Sequence, residues 1–219
     1  MIRGLGLKKL CGVWVGPAAA FTLLAAALPL TGQSSAYQPV ELYLGGQPGA
    51  PVKIEVFSDY QCPVCRTFYL DTLKPLLADY AKEDKIDKIC VVYHDFPLDM
   101  HPFARKAARF ALAAQRLSRE RWLRVTDALY TEQEKWSQDG NIEAVLAKTL
   151  DPTELVRLQN MVANPAIDAT INQEIMLAQS RGITSTPTFF IITETGRQNR
   201  VIGGVPYAVL KNYLDGLVK

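Results

Sequence analysis

"FSDYQCPVCRTFY", residues 57–69, holds two of the chain's four cysteines, Cys62 and Cys65, separated by Pro63 and Val64. A pair at this spacing can be half of a tetrahedral metal site, a structural cross-link or a reactive dithiol. The flanking residues decide which. Before the pair, Val52, Ile54 and Val56 alternate with Lys53, Glu55 and Phe57, the period of a β-strand. After it, Phe68, Leu73, Leu76, Leu77 and Tyr80 recur at helical spacing, with Pro75 expected to kink or interrupt the segment. Cys62 therefore stands where a strand ends and a helix begins.

That position has chemical consequences. A sulfur at a helix N-terminus meets free N–H groups and the positive end of the macrodipole, which favour thiolate over thiol. Cysteines at such sites titrate at roughly 3.5–7.5, against about 8.5 for a free thiol. Pro63 suits the first helical position, where no N–H is needed. Cys65 lies one turn further on, within reach of a disulfide. In a redox pair Cys62 is then the nucleophile and Cys65 the resolving thiol. A zinc site needs two more ligands, but Cys90 stands alone and His94 and His101 are seven residues apart. A purely structural disulfide would close only a tiny loop, with little gain in chain entropy.

The 219 residues suffice for one domain with a core, or one domain carrying an insertion. Arg3, Lys8 and Lys9 precede an uncharged run rich in Ala and Leu from Val13 to Leu30, and Ser34-Ser35-Ala36 fits a small-residue cleavage site. Residues 1–36 read as a secretory signal peptide, with an uncleaved N-terminal anchor as the alternative. Cys11 precedes the apolar run, which is not the place of a lipoprotein cysteine, and reads as a bystander lost with the signal. Export places Cys62, Cys65 and Cys90 where disulfides persist. Removing residues 1–36 takes three of the 24 basic residues and none of the 22 acidic ones, leaving 21 against 22. No basic stripe remains, and nucleic acid is excluded as a partner.

Further along, turn residues flank a short strand expected at 40–44, and Ile89–Tyr93 reads as a second buried strand. Residues 99–163 read as all-helical. An Ala-rich amphipathic stretch runs from His101-Pro102 to Leu117, Trp122, Val125 and Leu129 mark another face, and Asn141 caps a helix expected to run through Leu150. Asp151-Pro152-Thr153-Glu154 and Asn164-Pro165 are two more helix starts, and Gly182 ends the second. Strands at Thr188–Thr193 and Arg200–Ile202 follow, then a helix opened by Pro206. The order is that of an α/β sheet interrupted by a helical insertion, with 37–98 as its first part and 164–219 as its second.

"EVFSDYQCPVC" followed by "ITSTPTFFI" resembles the thioredoxin superfamily, specifically the DsbA-type thiol–disulfide oxidoreductases. "YHDFPLDMHPFARKAARFALAAQ" resembles the segment that opens the inserted helical domain in that branch. The resemblance covers nearly all of residues 40–219. It implies a thioredoxin fold with a helical insertion domain between the central strands and the cis-proline strand. It also implies that Thr186-Pro187 is the cis-proline element lying against the cysteines and pairing with the substrate backbone, beside Pro63 and Val64. Glu55, seven residues before Cys62, matches the buried acid beneath the family's active site, which implies proton transfer to or from Cys65. Where the best-known member has Pro-His between its cysteines, this chain has Pro-Val. Val64 can donate no hydrogen bond to the Cys62 thiolate, so a milder oxidant is expected.

The implied activity is the introduction of disulfides into exported proteins with free cysteines, in the periplasm or another extracytoplasmic space. No metal and no cofactor is expected. Reoxidation is implied to pass through a quinone-linked membrane partner of the DsbB or vitamin K epoxide reductase type. No extra dimerisation segment accompanies the pattern, so a monomer is expected. The rivals are a reductase or isomerase of the same fold, a peptide-binding chaperone whose thiols matter little, and a metal carrier. Cys90, His94, His101, Phe57, Tyr60, Phe68, Trp122 and Trp136 read as structural residues.

Overall fold

The computed structural model describes residues 42–218, which lie within one compact unit. The expected signal segment, Cys11 and the first two residues of the strand expected at 40–44 lie outside the described residues. The elements are β1 (Leu42–Gly46), β2 (Val52–Ser58), α1 (Pro63–Phe68), α2 (Lys74–Lys82), β3 (Ile89–Asp95), α3 (Ala104–Leu117), α4 (Arg119–Thr131), α5 (Gln133–Asp139), α6 (Ile142–Leu146), α7 (Pro152–Val162), α8 (Pro165–Ser180), β4 (Thr188–Thr193), β5 (Gln198–Ile202) and α9 (Tyr207–Leu217).

Among the described residues the strands form one sheet in the order β1-β3-β2-β4-β5. β2 runs at its centre, parallel to β3 and antiparallel to β4, while β1 and β5 close the edges antiparallel to their neighbours. The alternation in β2 explains its two faces. Val52, Ile54 and Val56 join Ile89, Val91 and Tyr93 of β3 in the large core that includes Cys62, Cys65, Leu76, Leu210 and Leu214. Phe57, Phe190, Ala178 and Ile183 form a smaller cluster on the opposite face, under α8.

The helices between β3 and α8 do not form a separate core. Ala111, Trp122, Leu129, Trp136, Ile142 and Leu158 belong to the same large cluster as the sheet. Their starts are locally encoded: the Ser118 side chain accepts from the Arg121 N–H, and Asp151 and Glu154 close a full capping box. α6 stops at Leu146, short of the expected Leu150. The N–H groups of Lys148 and Thr149 turn back three residues to Val145 and Leu146, and the following Asp151 precedes a proline, which disfavours helical backbone there.

Pro75 interrupts the helix in a specific way. Residues Tyr69–Leu73 form a π-helical turn, in which the Lys74 N–H reaches the Tyr69 carbonyl, and Pro75 falls at the second position of α2. The wider turn accommodates a ring that would otherwise crowd the carbonyl four residues back. The result is one long, locally widened helix from Pro63 to Lys82 that carries the cysteines at its start.

Candidate active site

Cys62 is the N-cap residue of α1, with extended backbone, and Pro63 takes the first helical position. The junction is held from several directions. The Cys62 N–H donates to the Asp59 carbonyl and the Cys62 carbonyl accepts from Arg66. Asp59 is buried; its carboxylate accepts from the N–H groups of Gln61 (2.7 Å) and Leu98 (2.9 Å) and pairs with His101 Nδ1 at 2.7 Å. Gln133, at the start of α5, donates from Nε2 to the carbonyls of Tyr60 (2.6 Å) and Cys62 (3.0 Å). Gln61 in turn accepts from the Phe103 N–H (2.7 Å). The inserted helices thus fasten the loop that carries Cys62.

The two thiols differ sharply. Hydrogen bonding from Cys65 comes first among the influences on Cys62; with the backbone N–H groups of Cys65 and Val64 it outweighs burial and lowers the Cys62 pKa to about 6. Burial, followed by the proximity of Cys62, pushes the Cys65 thiol well up. Cys62 is therefore the thiolate at neutral pH and Cys65 the buried thiol behind it.

The Thr186–Pro187 peptide bond is cis. It brings the Thr186 carbonyl to 3.5 Å from Cys62 Sγ, while the Pro187 carbonyl accepts from the Gly203 N–H at 2.8 Å. Val64 is half exposed beside this loop. With Phe68, Gly204, Val205, Pro206 and Tyr207 it lines a largely apolar groove next to the cysteines. Gly204 sits close against α1: a Cβ there would lie 3.3 Å from the Phe68 Cβ.

Glu55 is elsewhere. It shares a sheet face with Lys53 and Phe57, opposite the face that packs on Cys62 and Cys65. Its carboxylate pairs with Arg181, just after α8, and with Lys53 at 2.8 Å. Burial raises its pKa, but the hydrogen bonds and charges of Arg181 and Lys53 prevail and hold it below the usual range. The expectation of proton transfer between Glu55 and Cys65 is corrected by this geometry. The family resemblance implied a place beneath the cysteines, whereas the strand's alternation puts the residue on the other face, where its two cationic partners keep it ionised.

Residues that sequence reasoning passed over surround Cys65 instead. Ser58 ends β2 on the face that packs on the cysteines, is among the hydrogen-bonding influences that lower the Cys65 thiol pKa against burial, and lies 2.9 Å from the Tyr130 hydroxyl. Tyr130 lies 2.7 Å from the Tyr93 hydroxyl. Asp95 pairs with Ser58 in the β2–β3 register, and its Oδ1 is buried without a hydrogen-bond partner. Burial, then Glu174 and Asp59, pushes its carboxyl well up. The position of Ser58 in the strand was legible from alternation; that of Tyr130 had no local signal. Cys90 is buried in β3, and His94 pairs with Glu174 at 2.7 Å on the α8 face. Among the described residues no group of three or more His, Cys, Asp or Glu side chains could hold a metal ion, and no helix is long and apolar enough to cross a membrane.

This arrangement of a strand-to-helix C-x-x-C against a cis-proline loop agrees with comparison to known proteins: the sequence profile of the thioredoxin family matches residues 39–201. The chain belongs to the thioredoxin family. Its fold is DsbA-type. The crystal structure of Pseudomonas aeruginosa DsbA2 superposes with a TM-score of 0.62 at 27% identity, covering 83% of this chain and 96% of that one. The probable disulfide bond formation protein D of Bacillus cereus is 20% identical over 154 residues, 67% of this chain and 68% of that protein. A Na(+)/H(+) antiporter, NhaA 3 of Salinispora tropica, is 27% identical over 150 residues, 68% of this chain; the match spans only 21% of the antiporter's length.

Proposed function

We propose that this thioredoxin-family protein is an extracytoplasmic thiol–disulfide oxidoreductase that introduces disulfides into exported proteins with free cysteines. The observation that carries the reading is the asymmetry of the pair: a Cys62 thiolate with a pKa near 6 against the Thr186–Pro187 loop, and a buried Cys65 thiol behind it. In the oxidised protein a substrate thiolate attacks Cys62 Sγ. The Cys62–Cys65 bond breaks and its electron pair remains on Cys65, which takes a proton from water. A second substrate thiolate then attacks the substrate sulfur of the mixed disulfide. The substrate disulfide forms and Cys62 leaves as a thiolate that its surroundings stabilise. An extended substrate segment adds along the cis-proline loop through backbone hydrogen bonds, with side chains in the adjoining apolar groove.

A low nucleophile pKa favours the reduced pair and makes the disulfide oxidising. The Val64 side chain supplies no donor to the Cys62 sulfur beyond its backbone N–H, so the potential should lie below the roughly −120 mV of the strongest oxidant of this type. Turnover requires reoxidation of the dithiol, assigned here to a quinone-linked membrane partner of the DsbB or vitamin K epoxide reductase type. The test is oxidation of a reduced, unfolded substrate protein by the purified oxidised protein, with Cys62→Ser as the comparison. Activity retained in that variant would sink the proposal. A pair found mainly reduced in intact cells would instead mark a reductase or isomerase.

A further inference from the structure

Cys65 must carry negative charge twice in the exchange cycle, as a leaving group when the disulfide opens and as the attacking sulfur when it closes. It does so inside the core, at 1% exposure, where charge is costly. Glu55 is on the wrong face to help. Ser58 lies on the face of β2 that packs on the cysteines, and hydrogen bonding from its hydroxyl works against the burial and the Cys62 charge that push the Cys65 thiol up.

Ser58 is not free to turn. Its Oγ is 2.9 Å from the Tyr130 hydroxyl, and Tyr130 is 2.7 Å from the Tyr93 hydroxyl, both buried. The Tyr130 ring is clamped between Tyr69 (4.7 Å between centroids) and Tyr60 (5.1 Å), and its carbonyl accepts from Arg66 Nε at 3.0 Å. If Tyr93 donates to Tyr130 and Tyr130 donates to Ser58, Ser58 is left to donate to Cys65. The chain runs from the sheet through α4, so the inserted helices reach the resolving thiol as well as the nucleophile's loop.

Resting on the exchange reading above, we infer that Ser58 is the hydrogen-bond donor to the Cys65 thiolate and that Tyr130 is the positioning residue that aims it. The ionisable groups packed round this chain do not replace it. Burial pushes Tyr60, Tyr69, Tyr93, Tyr130 and Asp95 toward their neutral forms. Asp59 is engaged by Gln61, Leu98 and His101.

Oxidation of the reduced protein by oxidised glutathione separates the two sulfurs. First the Cys62 thiolate attacks one glutathione sulfur, forming a mixed disulfide and releasing a glutathione thiolate. Then Cys65 gives its proton to the buffer and attacks Cys62 Sγ, the bond to the second glutathione breaks, and the protein disulfide closes. Each unit rise in the Cys65 pKa removes tenfold of its thiolate, while a Brønsted coefficient of about 0.4–0.5 returns about threefold in nucleophilicity. The net slowing is about three- to fourfold per unit. Quenched-flow mass spectrometry of the glutathione adduct, across the pH range, reads both steps.

Ser58→Ala and Tyr130→Phe should leave adduct formation unchanged, slow its resolution about three- to tenfold at pH 7, and move the resolution profile to higher pH. Ser58→Thr, which keeps the hydroxyl, should restore it. Thr126→Val, which removes the Tyr60–Thr126 bond (3.1 Å) on the same helix, should change neither step. Resolution profiles of Ser58→Ala and Tyr130→Phe that superimpose on the unaltered protein's overturn the inference. A slowing in Ser58→Ala alone overturns the part assigned to Tyr130. An unaltered protein that forms no adduct refutes the exchange reading itself, and this inference with it.

Discussion

Replacing Cys65 by alanine removes the largest single influence on the Cys62 thiol. A hydrogen bond to a charged group contributes about 1.5–3 kcal/mol. At about 1.4 kcal/mol per pKa unit, its loss should raise the Cys62 pKa by about one to two units. The value then moves from about 6 to about 7–8, because the backbone N–H groups of Val64 and the residue at 65 remain. At pH 7 the thiolate fraction should fall from about nine-tenths to between about one-half and one-tenth. Titration of the thiolate ultraviolet absorbance reads this directly, and the pH dependence of alkylation by iodoacetamide reads it independently. A Cys65→Ala midpoint still near 6 would refute the reasoning. The backbone donors at the start of α1 would then hold the thiolate on their own.

The same titration bears on stability. In the reduced protein the folded pKa of Cys62, about 6, lies below the roughly 8.5 of an unfolded thiol. Its contribution is therefore full above the unfolded value and is lost as the pH falls through about 6. The urea midpoint of the reduced protein should rise relative to the oxidised one between pH 5.5 and 8; a constant difference would contradict the shift. Glu55→Gln should leave the Cys62 titration unmoved but lower stability by about 1–3 kcal/mol, since Arg181 and Lys53 lose their anion; a shifted thiol titration would return Glu55 to the active site. Gln133→Ala removes two donations to the Tyr60 and Cys62 carbonyls and should cost about 1–3 kcal/mol, with faster amide exchange at Gln61 and Cys62. Unchanged exchange there would show that the inserted helices do not hold this loop. Gly46→Ala should disrupt the β1 edge, because its φ is +80° and a Cβ would meet the Ile89 carbonyl oxygen at 1.8 Å; a thermal midpoint equal to that of the unaltered protein would contradict the close approach.

Much of the fold was legible because its signals are local. Alternation in Val52–Phe57, the N-cap and proline pairs at 151–152 and 164–165, and Gly182 depend on neighbours a few residues away. The strand-to-helix placement of Cys62 is of the same kind. The π-turn before Pro75 was foreseen only as an interruption, because periodicity does not say how a helix absorbs a proline.

The contents of the space behind Cys65 were not legible in this way. Period two groups Glu55 with Lys53 and Phe57 but does not say which face meets a given helix; the family resemblance, and not the spacing, implied a place for Glu55 beneath the cysteines. Tyr130 lies 72 residues from Ser58 in sequence, and Arg181 lies 126 from Glu55. Such pairs exist only once the sheet has closed and the helices have packed on it. By itself the sequence determined where Cys62 stands and that its partner, Cys65, is one turn away. The tertiary structure decided which side chains share the dry space around that partner, because burial and long-range packing, rather than spacing along the chain, determine which groups it can hydrogen-bond.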